Sequence, residues 1–261
     1  MSNEVTLASI TRSEWIKFRT VRSTLMGYLV TLVLTLGLGA LITSAIRSHW
    51  ATMEPIRKLT FDPVSTSLGG TLFAQFAVGV IGVLFITSEY STGAIRTTLS
   101  ATPNRIKLVI AKVTVLASVT LIFCEVVCVT AFLVGQQIYS GVVPTASLAS
   151  GVILRSVLLG GLYLTLLAIF GFGLGLILRQ QSASISVFTS LLLVVPIIVF
   201  VLPQSWQDSV SKFEPSALGR AMLSTSPPDH IFAAGPATAL LLLYVVVTVV
   251  TGTVMLVRRD A

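Results

Sequence analysis

Glu125 is an acidic residue set deep inside a long apolar run, where a carboxylate costs roughly 3 kcal/mol or more unless it is paired, protonated or hydrated. The nearest partner by depth is Arg155, close to the start of the next apolar run. An intramembrane acid of this kind either holds helices together or lines a substrate path. The other residues with chemical potential point to less. Cys124 and Cys128 sit four residues apart on one helical face, poor geometry for a disulfide, and read as buried apolar residues. His49 and His230 fall in loops with no acidic or cysteine partner at metal-ligand spacing, so no metal site is expected. Neither a Gly-x-x-x-x-Gly-Lys-Ser/Thr phosphate loop nor a His-Glu-x-x-His pair occurs, and no nucleophile sits beside a base in the apolar runs. The chain is not expected to be an enzyme. Gly171, Gly173 and Gly175 lie within an apolar run, where glycines four apart serve close helix packing rather than dinucleotide binding, and Gly160 and Gly161 extend that surface.

A second set of charged residues lies outside the apolar runs. One group is the polar island Glu89-Tyr90-Ser91-Thr92-Gly93-Ala94-Ile95-Arg96, which continues to Arg105 and Lys107. Gly93 permits a sharp turn, Ile95 and Leu99 share a helical face, and Thr102-Pro103 reads as a cap and first residue of the following helix. Arg105, Lys107 and Lys112 read as headgroup anchors. The other group is N-terminal: Leu7, Ile10, Phe18, Val21 and Leu25 form one side of a helix. Arg12, Trp15, Arg19 and Arg22 form an adjoining stripe suited to a membrane interface.

The elements that must position these residues follow from composition. Of 261 residues, 54% are hydrophobic and 10% charged, and the mean hydropathy is +0.93, so an all-α integral membrane protein is expected. Runs of about 20 apolar residues, enough to cross roughly 30 Å of hydrocarbon, recur along the chain. They fall at about 24–46, 68–88, 106–135, 150–178, 183–202 and 236–257. A five-span alternative arises because Pro196 lies within the fifth run, which follows a very short turn at Arg179-Gln180-Gln181. Lys17, Arg19, Arg22, Arg96, Arg105, Lys107, Arg179 and Arg258 gather on the side of both termini, which the positive-inside bias makes cytoplasmic. The net charge of +7 then reflects topology and attraction to membrane lipid, and no nucleic-acid partner is expected.

The layout resembles the permease subunits of type-2 ATP-binding-cassette exporters. The resemblance rests on Ser-Glu-Trp-x-Lys-x-Arg-x-x-Arg-Ser-Thr at 13–24, and on Ser-Glu-Tyr-x-x-Gly-x-Ile-Arg-x-Thr-Leu-x-x-x-Pro-x-Arg at 88–105. It implies a single transmembrane domain with an interfacial elbow helix at 7–22 carrying Glu14, Trp15, Lys17, Arg19 and Arg22. It also implies a coupling helix at 91–100, with Glu89, Tyr90, Gly93, Ile95, Arg96 and Leu99 docking on a separate cytosolic ATPase that holds ATP and Mg. A second copy of the permease would complete the complex in a bacterial-type cell membrane.

Within that frame, Phe73, Gln75, Phe76, Phe188 and Thr189 are candidates for a substrate path, although core packing explains aromatic spans equally well. The segment 203–235 is extracytoplasmic, and is either re-entrant or a plain surface loop. Two other classes of function compete with export. A secondary transporter would normally show internal repeats and several buried ionisable groups, and a membrane scaffold would need neither.

Overall fold

The computed structural model describes residues 6–102, 104–225 and 231–258, and every regular element among them is a helix. In chain order these are α1 (Leu7–Thr20), α2 (Arg22–His49), and the short α3 (Pro55–Leu59) and α4 (Pro63–Ser67). Next come α5 (Thr71–Ser91), α6 (Ala94–Ala101), α7 (Arg105–Tyr139) and α8 (Gly151–Leu178). The chain continues through α9 (Gln181–Val201), α10 (Gln204–Val210), α11 (Pro215–Leu223) and α12 (Ala234–Arg258). Six of these, α2, α5, α7, α8, α9 and α12, are long and apolar enough to cross a membrane. The chain is a multi-pass helical membrane protein.

The five-span alternative falls, because α9 runs unbroken through Pro196. A wider π turn at Ser190–Val194 directly precedes the proline and accommodates its ring without ending the helix. The turn before α9 is as short as the sequence implies, with Arg179 in the left-handed region at φ 55.

Two boundaries differ from the sequence expectation. Leu68 is the C-cap of α4, which Asp62 initiates by accepting from the amides of Val64 (2.9 Å) and Ser65 (3.3 Å), and the second span begins at Thr71. At α7 the cap is Asn104, whose side chain accepts from the Lys107 amide at 3.0 Å. Thr102 instead closes α6 through its own amide, and Pro103 lies outside the described residues. Losing an N-cap costs about 1 kcal/mol. Asn104→Ala should therefore lower thermal stability in detergent measurably more than Thr102→Ala, and equal losses would return the cap to Thr102.

Packing explains the glycines. α8 is the central helix, flanked by α5, α7 and α12. A Cβ on Gly82 would overlap the Ala168 carbonyl oxygen, and one on Gly171 would overlap that of Gly79, so α5 and α8 meet backbone to backbone. Gly175 continues this contact toward Val83 and Ile86, while Gly173 of α8 receives Thr248 of α12. Cys124 and Cys128 are buried free thiols in the same core.

The segment 203–235 is not a plain surface loop. α10 is peripheral, with Trp206 64% exposed, but α11 is tucked between α8 and α12, with Leu218 and Met222 fully buried. Pro227, Pro228 and His230 lie outside the described residues. At this end of the bundle Tyr139 closes an aromatic series with Phe61 and Trp50, and its hydroxyl donates to Thr66 Oγ1 at 3.1 Å.

Candidate functional site

The charged residues of the sequence converge at the opposite end, where α1, the end of α5, α6 and the start of α7 meet. The inward stripe of α1 is Ile10, Glu14 and Phe18, spaced four apart and all buried. This differs from the expected apolar face, since Leu7, Val21 and Leu25 are 40–55% exposed. Trp15, Arg19 and Arg22 are exposed as expected, and Val21, in extended conformation, turns the chain from α1 into α2.

Glu14 is buried because it is paired. Its Oε2 accepts from Lys112 Nζ at 2.6 Å and its Oε1 from Lys17 Nζ at 2.8 Å. Glu89 Oε1 completes the group, 2.8 Å from Lys112 and 3.1 Å from Lys17. Two carboxylates and two ammonium groups therefore bind α1, α5 and α7 into one unit. Lys112 also lies 5.0 Å from the centre of the Phe85 ring. Burial draws the Lys17 ammonium down, but its bond to Glu14 and the Glu89 charge outweigh that and hold it above its ordinary 10.5. A raised lysine adds stability that is fully present below the unfolded value and disappears only as pH rises through the folded one, so this part of the cluster is constant across neutral pH.

The cluster corrects two assignments. Lys112 is 1% exposed and holds two carboxylates, so it is no headgroup anchor. Glu89, its side chain 12% exposed, points into the bundle rather than out to a partner. The signal was present in the sequence: Lys112 shares a helical stripe with the buried Leu108 and Val115, and Glu14 lies midway between Ile10 and Phe18. A lone charge inside an apolar stripe needs a buried partner. Arg105 and Arg179 have another task, donating to the last carbonyls of α12. Arg105 Nη1 reaches Leu256 O at 2.6 Å, and Arg179 Nη2 reaches Met255 O at 3.0 Å.

The short helix α6 is mounted on this unit. Gly93, at φ 73, makes the turn out of α5 that a side chain would strain. Ile95 is buried, Leu99 packs against Ile10, Leu108 and Ala111, and Lys17 donates to Thr98 Oγ1 at 3.4 Å. Arg96, Thr97 and Ser100 face outward. Of the residues expected on a docking surface, Gly93 and Arg96 lie on the open face, whereas Glu89, Ile95 and Leu99 fix the helix to the bundle. Tyr90 stands between, its ring 5.6 Å from the Arg179 guanidinium and its hydroxyl buried without a partner among the described residues. Tyr90 and Arg179 wall two adjoining hollows of about 500 and 350 Å³, the smaller lined by Gly93 and Arg96.

The intramembrane charges do not pair. Glu125 packs against Gly161, where an added Cβ would come within 2.6 Å of its carboxyl carbon, and its Oε2 has no partner among the described residues. Arg155 is exposed. It lies six residues before Gly161, about 9 Å along the helix and on a different face, which explains the missing ion pair. The candidate substrate path also divides. Phe73 is 47% exposed, Gln75 is buried and accepts from the Tyr163 hydroxyl, and Phe188 is fully buried over Gly79. Phe76 and Thr189 are half-buried. Phe188 packs into the space that glycine leaves in α5.

Comparison with known proteins adds no family: no protein-family model matches the chain, and no curated protein sequence does.

Proposed function

We propose that this chain is the permease half of an ATP-driven exporter of the type-2 ATP-binding-cassette kind, coupled through α6 to a separate cytosolic ATPase that binds ATP and Mg. The observation that carries the proposal is the mounting of α6. It is a short helix presenting Arg96, Thr97 and Ser100 outward, while Ile95 and Leu99 on its inner face, with a hydrogen bond from Lys17 to Thr98, seat it on three helices that a buried ion cluster ties together. A loop that only connected two spans would need no such clamp. In this reading α1 is the elbow helix and α6 the coupling helix. Both termini are cytoplasmic in a bacterial-type cell membrane, and a second copy of the chain supplies the other half of the path.

The chemistry in this chain is mechanical. ATP binding draws the partner ATPase subunits together and displaces α6. Ile95 and Leu99 pack α6 onto the bundle and Lys17 reaches it at Thr98, while Lys112 joins both carboxylates to α7, so a push on α6 meets helices that are tied together. It passes to α5 and α7, and through the glycine contacts to the central α8. A secondary transporter or a scaffold is less well supported, since the buried cluster lies at the bundle end rather than along a midplane path.

The proposal predicts that affinity purification of the full chain from its own membrane retains an ATPase with a phosphate-binding loop. Arg96→Glu should reduce that retention roughly tenfold or more, as for an interface arginine whose loss costs over about 1.4 kcal/mol. Membrane insertion should be unchanged. Equal retention by the wild type and the variant would remove α6 from the interface.

A further inference from the structure

At the end of the bundle away from α6, a cavity of about 480 Å³ opens between α2, α5, α8 and α11, within the roughly 300–1,000 Å³ range of small-molecule sites. One face of α11 forms a wall, with Ser216, Gly219 and Arg220 at helical spacing. Gly219 lets this wall lie close against Tyr163, because a Cβ there would run into its ring. Ser216 is 4% exposed, yet its Oγ has no hydrogen-bond partner among the described residues. One turn further on, Arg220 is exposed and makes no ion pair among the described residues. Arg220 lies near enough to the buried Glu214 for their charges to interact, but no ion pair among the described residues occupies its guanidinium, and a guanidinium one turn from an unpartnered hydroxyl is a donor set that grips phosphate oxygens.

The rest of the cavity defines what carries the phosphate. Ile42, Leu68 and Leu72 give it an apolar side, and Gln75 is already engaged by Tyr163. Asp62 stands on the same rim, its Oδ1 accepting from Val64 and Ser65 and its Oδ2 from the Thr225 amide at 3.1 Å. Its negative charge opposes a doubly charged phosphate monoester and tolerates a singly charged or zwitterionic phosphodiester. We propose that this cavity binds an amphiphile through a phosphodiester headgroup, with Arg220 and Ser216 holding the phosphate and the apolar side receiving the start of the chain. The site stands independently of the ATPase partner.

Native mass spectrometry of the full chain in neutral maltoside detergent tests it, with lysophosphatidylcholine as probe and a monoacylglycerol of equal chain length as the phosphate-free control. Wild type should retain one lysophosphatidylcholine selectively. Arg220→Gln should weaken retention about tenfold and Ser216→Ala about threefold, while Arg220→Lys keeps part of it. All three should melt at the wild-type temperature, since Arg220 is exposed and the Ser216 hydroxyl has no partner to lose. Lipid extracted from freshly purified protein identifies the source: a co-purified phospholipid lost in Arg220→Gln marks a resident lipid. A site empty on purification but filled by the probe marks a transiting amphiphile, and both results support the site. Equal retention in wild type and Arg220→Gln, or equal retention of the phosphate-free control by wild type, would overturn it.

Discussion

Lys112→Ala should destabilise the protein by about 3–5 kcal/mol, because it leaves two buried carboxylates facing each other without their shared cation. Glu14 and Glu89 each accept from Lys112 at 2.6 and 2.8 Å, and their side chains are 2% and 12% exposed, so water cannot replace the lost ammonium. Lys17 remains, but its side chain is 40% exposed and its contribution is screened by solvent. Thermal unfolding in detergent, followed by circular dichroism, measures the loss. The triple variant Glu14→Gln, Glu89→Gln, Lys112→Met should recover most of it, since a buried ion group replaced by neutral residues of like size is often as stable. Such a variant separates folding from coupling: it should be stable yet transmit motion from α6 poorly. A Lys112→Ala protein as stable as wild type would show that the cluster does not hold these helices.

Gly82→Val should be the most damaging change in the spans. The added carbon would meet a backbone oxygen of Ala168 rather than a side chain that can turn away, so α5 and α8 must separate along their length. Overpacking costs about 1–3 kcal/mol where side chains adjust, and the upper end or beyond is expected here. Gly37→Ala is the matched control, since nothing lies within 4 Å of its new carbon, and it should change stability by less than about 1 kcal/mol. The yield of monodisperse protein and its melting temperature provide the comparison. A tolerated Gly82→Val would mean that α8 is not the close-packed centre of the bundle.

The spans were legible because hydrocarbon imposes a one-dimensional rule: a long apolar run without charge has to be a helix. Each run from the sequence overlaps one of the six long helices, and errors occur where polar side chains settle the ends, as with Asp62 before α4 and Asn104 before α7. The glycine spacing on α8 also foretold its close approach to a neighbour, although not which one. The candidate site was only half legible. Glu89 reads as a docking residue, Glu14 and Lys17 enter the site only through the resemblance and Lys112 reads as a headgroup anchor, because the pairing of residues up to 98 positions apart is a property of the folded chain. For the same reason Arg155 reads as the partner of Glu125, from which a difference in depth and helix face keeps it. α11 was the least legible element, being short, bounded by proline and buried only because Gly219 lets it lie against Tyr163.

In the proposed mechanism α6 transmits force between a partner ATPase and the spans. The most direct measurement is the ATP hydrolysis rate of the proposed partner ATPase, once captured with the chain, in proteoliposomes with wild-type chain, with Arg96→Glu, and with the neutral triple variant. Stimulation by wild type, its loss in Arg96→Glu through failed docking, and docking without stimulation in the triple variant are the predicted results. A hydrolysis rate that is the same with all three chains, or with no chain at all, would contradict the account.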